Sequence, residues 1–484
     1  MIVKQNGRIV RQGGRVIGGI VTLEYTGRSA TFPFAIANNS GVNSGVGNLA
    51  LQFNKQTAIT VDYGNGVVKT FVSVVSPGES VNRFVFNSND YFSSFYDLYH
   101  PKYIYPDGEV KQRTVKISYN RENLTSYSGG INGVTNIPVL NFLFYAHRNL
   151  TFFSTSGAAG TLTDIPYLDR ITASTNPVLQ TLRIVNFSAN SPWVRAVPIN
   201  FLDMPLTLLT TGTTSFTDTG SNLEHIGSRA IKNSLISLEL IDLINVTTLP
   251  ASLDGVVKLR DLTLNRCSFA EFPEVITRLT TLQSLIINDT TNRLTGMSQI
   301  PASIANLNKL VNFSFNIWNV TKIPDNVNLL TTIVTLTISG GATFTEFGDI
   351  SALKNMATLI LAHPTIHNSF TAFPAYFDAF TKFRTVTFNS PLNSASVNVT
   401  KKLSLIYDLI TRNAPKTGVN NGSIPYRGFI LNLFTGSAVP TAVDGIIAEP
   451  EGFVQGVENG VVDSAGKMIW VLRNQYGCTI NITV

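Results

Sequence analysis

Few residues in this 484-residue chain are spaced for chemistry, and each candidate fails at a particular position. His363 and His367 stand four apart, the spacing that puts two zinc ligands on one helix face, but Pro364 lies between them and no Glu follows His363. The pair reads as part of a repeat loop and its rim. Asp97 and His100 could form a proton-transfer pair, yet Phe95, Tyr96 and Tyr99 beside them read as an aromatic patch around a hydrogen-bonded His. Gly460 to Lys467 ends in Gly-Lys like a phosphate loop, but five residues replace four before the second Gly, and Met468 stands where Ser or Thr is required. No nucleophile elbow G-x-S-x-G occurs, and no G-x-G-x-x-G follows a strand pattern. The carboxylates show no recurring pair of the kind glycoside hydrolysis needs. Cys267 and Cys478 are too few for a disulfide framework or a structural zinc site and read as core thiols. The sequence predicts no enzyme, no cofactor and no metal.

Composition narrows the remaining classes. Charged residues are 14% and hydrophobic residues 44%, which excludes a disordered or acidic solvating chain. No apolar run approaches the ~20 residues of a membrane span. The net charge of +6 is spread too thinly to argue for nucleic acid. Lys4, Arg8, Arg11 and Arg15 form a basic N-terminal arm without interleaved aromatics, which suits docking on an acidic protein face better than nucleic acid. They also interrupt any secretory signal. Asn-x-Ser/Thr triplets at Asn123, Asn245, Asn319 and Asn398 follow by chance from an Asn/Thr/Ser-rich chain.

The elements that position any site announce themselves as a repeat. Leu-x-x-Leu-x-Leu-type triplets start at Leu235, Leu259, Leu282, Leu310, Ile333, Met356 and Phe383, with spacings of 24, 23, 28, 23, 23 and 27 residues. Leu179 opens a clear upstream copy; Leu150 and Leu206 open fainter ones. A second signal recurs within each unit: Leu249-Pro250, Phe272-Pro273, Ile300-Pro301, Ile323-Pro324 and Phe373-Pro374, with Gly348 replacing Pro after Phe347. Alternation in the triplet predicts a short strand with its apolar residues turned inward. The Pro fixes φ and opens a turn on the opposite, convex side. One unit cannot bury its apolar face alone, so stacked units share one core.

These residues resemble the leucine-rich repeat family, whose units read L-x-x-L-x-L followed by I-P-x-x-I-x-x-L; the segment IPASIANLNKLVNFSF carries the full register. The resemblance covers roughly residues 150–390 and implies an α/β, strand-rich solenoid. Between the inward positions, the outward ones on the concave side are Thr181, Arg183, Ser237, Glu239, Asp261, Thr263, Ser284, Ile286, Asn312, Ser314, Thr335, Thr337, Thr358, Ile360, Thr385 and Thr387. This mostly neutral hydroxyl and amide ladder suits hydrogen bonding to a glycan or a polar protein surface.

Four segments follow: a docking arm (1–19), a β-rich domain (20–149), the solenoid (150–399), and a C-terminal cap with a β extension (400–484). In the arm, Asn6-Gly7 signals a hairpin. Thr57–Val61, Val67–Val75 and Arg113–Tyr119 read as strands, and "AITVDYGNG … RTVKISYN" resembles a PKD-like β-sandwich, with Tyr63 in place of the usual Trp and Asn65 in place of the usual Asp. In the last segment Lys401–Thr411 reads as helix, Lys467–Leu472 and Cys478–Val484 as strands. The two ends, MIVKQNGRIVRQGGRVIGG and GKMIWVLRNQYGCTINIT, resemble those of virion proteins from tailed, crAss-like phages of Bacteroidetes hosts. That resemblance implies a non-enzymatic virion protein, docked through its arm on other virion proteins, with repeats turned to a host-surface glycan or protein and homo-oligomer formation open. The alternatives are a bacterial surface or secreted adhesin, and an intracellular scaffold.

Overall fold

The structure is a computed structural model describing residues 3–5, 8–11, 29–36, 49–86, 113–131, 147–157, 171–185, 199–212, 223–241, 248–265, 269, 271–288, 300–316, 322–339, 346–362, 372–388, 396–413, 429–434, 447–455 and 457–483. Asp97, His100, Cys267, His363 and His367 lie outside the described residues, as does Arg15. The chain divides into two units, Met1–Gln180 and Thr181–Val484.

In the first unit, strands β1 (Val3–Gln5) and β2 (Arg8–Arg11) form the hairpin that Asn6-Gly7 signals. The strands that follow are β3 (Ser29–Ile36), β4 (Leu49–Phe53), β5 (Ala58–Asp62), β6 (Val68–Val72), β7 (Asn82–Phe86), β8 (Arg113–Asn120), β9 (Leu124–Ile131) and β10 (Phe152–Gly157). An antiparallel sheet has the order β3-β8-β5-β6. A second set runs β7-β4-β9-β10, with β10 parallel to β9. The expected strands at 57–61, 67–75 and 113–119 correspond to β5, β6 and β8. Gly64 and Gly66, at φ 75° and 84°, turn the β5–β6 hairpin. This core mixes aromatic and aliphatic residues: Phe53, Tyr63, Phe84, Tyr119, Tyr127 and Phe153 are all buried, as are Leu51, Ile59, Val61 and Ile117.

The second unit is built on the repeat. Its strands are β11 (Thr181–Val185), β12 (Leu208–Gly212), β13 (Ser237–Ile241), β14 (Asp261–Asn265), β15 (Ser284–Asn288), β16 (Asn312–Asn316), β17 (Thr335–Ser339), β18 (Thr358–Ala362), β19 (Thr385–Phe388), β20 (Ile430–Phe434), β21 (Phe453–Val454), β22 (Glu458–Asn459) and β23 (Thr479–Thr483). From β11 to β20, and then β23, each strand lies parallel to its predecessor. Each triplet sends its second and fourth strand residues into the core: Leu262, Leu264, Leu285, Ile287, Leu336 and Ile338 are completely buried. Threonine hydroxyls tie unit to unit, as Thr281 donates to the Leu259 carbonyl at 2.7 Å and Thr332 to that of Leu310 at 2.6 Å.

On the other side of the units the expected α/β class needs correction. After each Pro the chain forms a 3₁₀ turn, at Ala251–Gly255, Glu274–Arg278, Ala302–Asn306, Asp325–Leu329 and Ala375–Ala379. Pro250, Pro273 and Pro301 hold φ at −66°, −66° and −67°, as their rings require. These short turns close i→i+3 bonds, such as Ile304 N–H to the Pro301 carbonyl at 3.0 Å.

The α-helices lie in the C-terminal segment: α1 (Ser396–Asn413) and α2 (Ala465–Asn474). α1 contains the expected helical stretch and starts five residues earlier; Leu403, Ile406, Leu409 and Ile410 are buried as its apolar face. Its Arg412 guanidinium reaches the Asp378 carboxylate at 3.0 Å and the Phe373 carbonyl at 2.7 Å, which holds the helix against the last regular repeat. The expected strand at Lys467–Leu472 is helical instead. Ser464 caps α2 by accepting from Lys467 N–H at 3.4 Å, and Ala465, Ile469 and Leu472 bury at helical spacing, a period the strand reading overlooked.

Candidate functional site

The parallel register brings the outward residues into columns. In the first column Thr181, Leu208, Ser237, Asp261, Ser284, Asn312, Thr335, Thr358, Thr385, Ile430 and Thr479 are successive partners. The second outward column runs Arg183, Thr210, Glu239, Thr263, Ile286, Ser314, Thr337, Ile360, Thr387, Asn432 and Asn481. Every residue of the expected ladder therefore shares one strand face. Leu208 and Thr210 on β12, Ile430 and Asn432 on β20, and Thr479 and Asn481 on β23 extend it. The sequence does hold a trace of these strands: Leu206-x-x-Leu209, then Leu431-x-Leu433 and Ile480-x-Ile482 alternate as the repeats do. Thr211 and Gly212 weaken the first, and long spacings separate the other two from their neighbours.

Except for the buried Thr210, the residues of this face are half-buried or exposed, whereas those between them are buried; β14, β15 and β18 alternate in this way along their whole length. The backbone is fully used beneath them. The Ile236 carbonyl accepts from both Arg260 and Asp261 N–H at 2.8 and 3.1 Å. The Arg260 carbonyl does the same for Gln283 and Ser284 at 2.8 and 2.9 Å. Side chains thus carry the face's remaining hydrogen-bonding capacity.

That capacity is spent at the two ends and available in the middle. At one end Thr210, only 1% exposed, donates to the Glu239 carboxylate at 3.0 Å. At the other, Asn481 donates to the Asn432 side-chain oxygen at 2.8 Å, and Asn432 donates to the Thr387 hydroxyl at 3.1 Å. Between them Thr263, Ser284, Ser314, Thr335, Thr337, Thr358 and Thr385 make no side-chain hydrogen bond among the described residues. Charge is confined to one end: Arg183, Glu239 and Asp261 precede an uncharged run of both columns from Ser284 to Asn481. Burial lifts the Asp261 carboxyl above the ordinary carboxylate value, against the opposing pull of Arg260. This face can exchange neutral hydrogen bonds over many strands. Among the described residues no cluster of His, Cys, Asp and Glu could hold a metal, and no helix is long and apolar enough to cross a membrane. Cys478 is buried, its thiol pushed up to about 12 by desolvation, which keeps it unreactive.

No family model matches the chain, and no curated protein does. Among solved structures it is similar to a leucine-rich-repeat protein of Leptospira interrogans at 15% identity, over 56% of this chain and 85% of that one, with a TM-score of 0.24. It is also similar to InlP of Listeria monocytogenes at 16% identity, over 55% and 63%, with a TM-score of 0.28. For the protein of a TLR13–ssRNA13 complex the values are 15%, 51% and 40%, with 0.33. The chain spans less than two thirds of the last two. Likenesses this distant carry no argument about activity. The unbroken parallel register, the buried triplets and the Pro-opened turns define a leucine-rich-repeat-like fold.

Proposed function

We propose that this chain is a non-enzymatic structural and binding protein of a virus particle, whose outward strand face contacts a polar ligand: a host-surface glycan or protein, or another virion protein. One observation carries the binding reading: seven hydroxyls in register, from Thr263 to Thr385, without side-chain partners among the described residues. Protein hydroxyls that stabilise a fold are bonded within it; a half-buried row left open is suited to an external acceptor or donor. The virion setting is supported by the resemblance of both chain ends. In the same reading residues 20–149 are a PKD-like domain and residues 400–484 cap the solenoid, since a repeat array needs covered ends.

The test is binding of the purified protein to host cells or host-surface glycans, with thermal melts as the folding control. Thr337→Arg places a bulky, unpaired charge at the centre of the neutral run, so binding should fall sharply while melting is unchanged. Thr335→Ala removes one hydrogen bond among many and should weaken binding by only about 0.5–1.5 kcal/mol. Unchanged binding in Thr337→Arg, and in matching changes at Thr263 and Ser314, would leave the repeats as a spacer. Mass spectrometry of purified particles tests the virion setting separately.

A further inference from the structure

Charge is unevenly placed along the chain. Residues 1–23 hold Lys4, Arg8, Arg11 and Arg15 and no acid; residues 428–466 hold Asp444, Glu449, Glu451, Glu458 and Asp463 and no base. The acidic segment also carries an apolar surface. Ile447, Val454, Val457 and Val461 are 46%, 50%, 47% and 57% exposed, a concentration of exposed aliphatics within fifteen residues. Scattered single apolar residues need no explanation, but a clustered set marks an interaction surface.

This surface is built. In the small β21–β22 hairpin Val454 lies opposite Glu458. Val457 N–H bonds the Val454 carbonyl at 2.9 Å, and Val461 N–H bonds that of Glu451 at 2.8 Å, so acids and valines share one short scaffold. Gly460 allows the chain to close, at φ +70°, where a Cβ would sit 2.6 Å from the Glu451 carbonyl. Phe453 packs edge-on against Trp470 of α2 at 4.7 Å, and the Tyr476 hydroxyl donates to the Asn459 side-chain oxygen at 3.1 Å, which anchors the hairpin to the unit. Asp463 is neutralised by Lys467 at 2.8 Å, whereas Glu449 and Glu451 are exposed and make no ion pair among the described residues.

The β1–β2 hairpin is the complementary object. Among the described strands it pairs only with itself, and a two-stranded ribbon this short is marginal in water. Its sequence supplies Val3, Ile9 and Val10 beside Lys4, Arg8 and Arg11. We propose that the basic β1–β2 arm of one copy docks on the acidic, valine-bearing β21–β22 surface of a second copy. Two acidic surfaces repel, as do two basic arms, so each contact joins the arm of one copy to the acidic surface of another. It is independent of what the outward strand face binds.

The experiment is sedimentation of the full chain over a concentration series at low and high salt. The mass should grow with concentration at low salt and less so at high salt, where exposed charges are screened. Reversing the arm (Lys4→Glu, Arg8→Glu, Arg11→Glu) should weaken association roughly a hundredfold, and so should reversing the surface (Glu449→Lys, Glu451→Lys, Glu458→Lys). A chain carrying both reversals should associate again, which a merely misfolded variant would not. Wild-type protein that stays monomeric at low salt would overturn the proposal. Undiminished association of the arm-reversed chain, or no recovery in the double reversal, would overturn it equally.

Discussion

The two units bury their cores by different rules. In the second unit, the first buried column runs Leu182, Leu209, Leu238, Leu262, Leu285, Phe313, Leu336, Leu359, Val386, Leu431 and Ile480, one residue per strand. In the first unit β4 pairs with both β7 and β9, and its register slips between Gln52 and Phe53. Its core mixes aromatics such as Phe53, Tyr119 and Tyr127 with aliphatics such as Leu51, Ile59 and Ile117, in no repeating order. A core made of columns touches only the next turn, so stability is the sum of neighbour terms. A core made of single-copy contacts between distant segments gains little until all have met, so it should be lost as a whole.

The largest expected effect tests the single-copy side. Phe153 is fully buried and stacks on Tyr127 with ring centroids 5.2 Å apart. Phe153→Ala removes that payload and leaves a cavity, at a cost of about 3–5 kcal/mol. Hydrogen exchange should then rise together in β4, β5, β8 and β9. A rise confined to β9 and β10 would mean that the first unit, too, is modular.

Leu285→Ala tests the columnar side. Leu285 is fully buried, and its truncation should cost about 2–5 kcal/mol. Exchange should rise in β14, β15 and β16 and leave β11 and β20 near their wild-type rates. Thr263→Ala, at an outward position, should change stability by less than about 0.5 kcal/mol. Equal losses at inward and outward positions would refute the strand register.

The same contrast explains what could be read from the sequence. The repeats were legible because the pattern recurs: Leu259-x-x-Leu262-x-Leu264 alone is ambiguous, but several copies in register fix which residues face in. The outward columns came with them, from Thr181 to Thr387. The ladder's extension was missed where copies degrade. At β12 Thr211 and Gly212 stand in the place of a final apolar pair, and β20 and β23 lie beyond long spacings that break the period. The Ser464 cap of α2 went unread because Val471 and Leu472 continue an apolar run that strand and helix templates both fit. Pairing of open hydroxyls, and its consumption by Glu239 and Asn432 at the ends, depends on side-chain reach across strands and leaves no local sequence signal.

An intermediate effect concerns a turn that departs from the five that open on Pro. Where five turns open on Pro, the unit after Phe347 opens on Gly348 at φ +64°, and its chain forms no 3₁₀ helix. A Cβ there would lie 2.7 Å from the Ile323 carbonyl, so the position combines left-handed backbone with close approach. The turn is held by other means: Asp349 accepts from Ser351 N–H at 2.9 Å, and the Tyr376 hydroxyl donates to the Gly348 carbonyl at 2.7 Å. Gly348→Ala should therefore cost about 1–3 kcal/mol, through a strained φ and a displaced neighbour. Gly348→Pro, which copies the sibling turns, should do worse, because its ring demands φ near −65°. Thermal melts of both variants decide the point. If Gly348→Pro melts like wild type, the turn can adopt its siblings' geometry, and the difference between the two kinds of turn is one of residue choice and not of backbone.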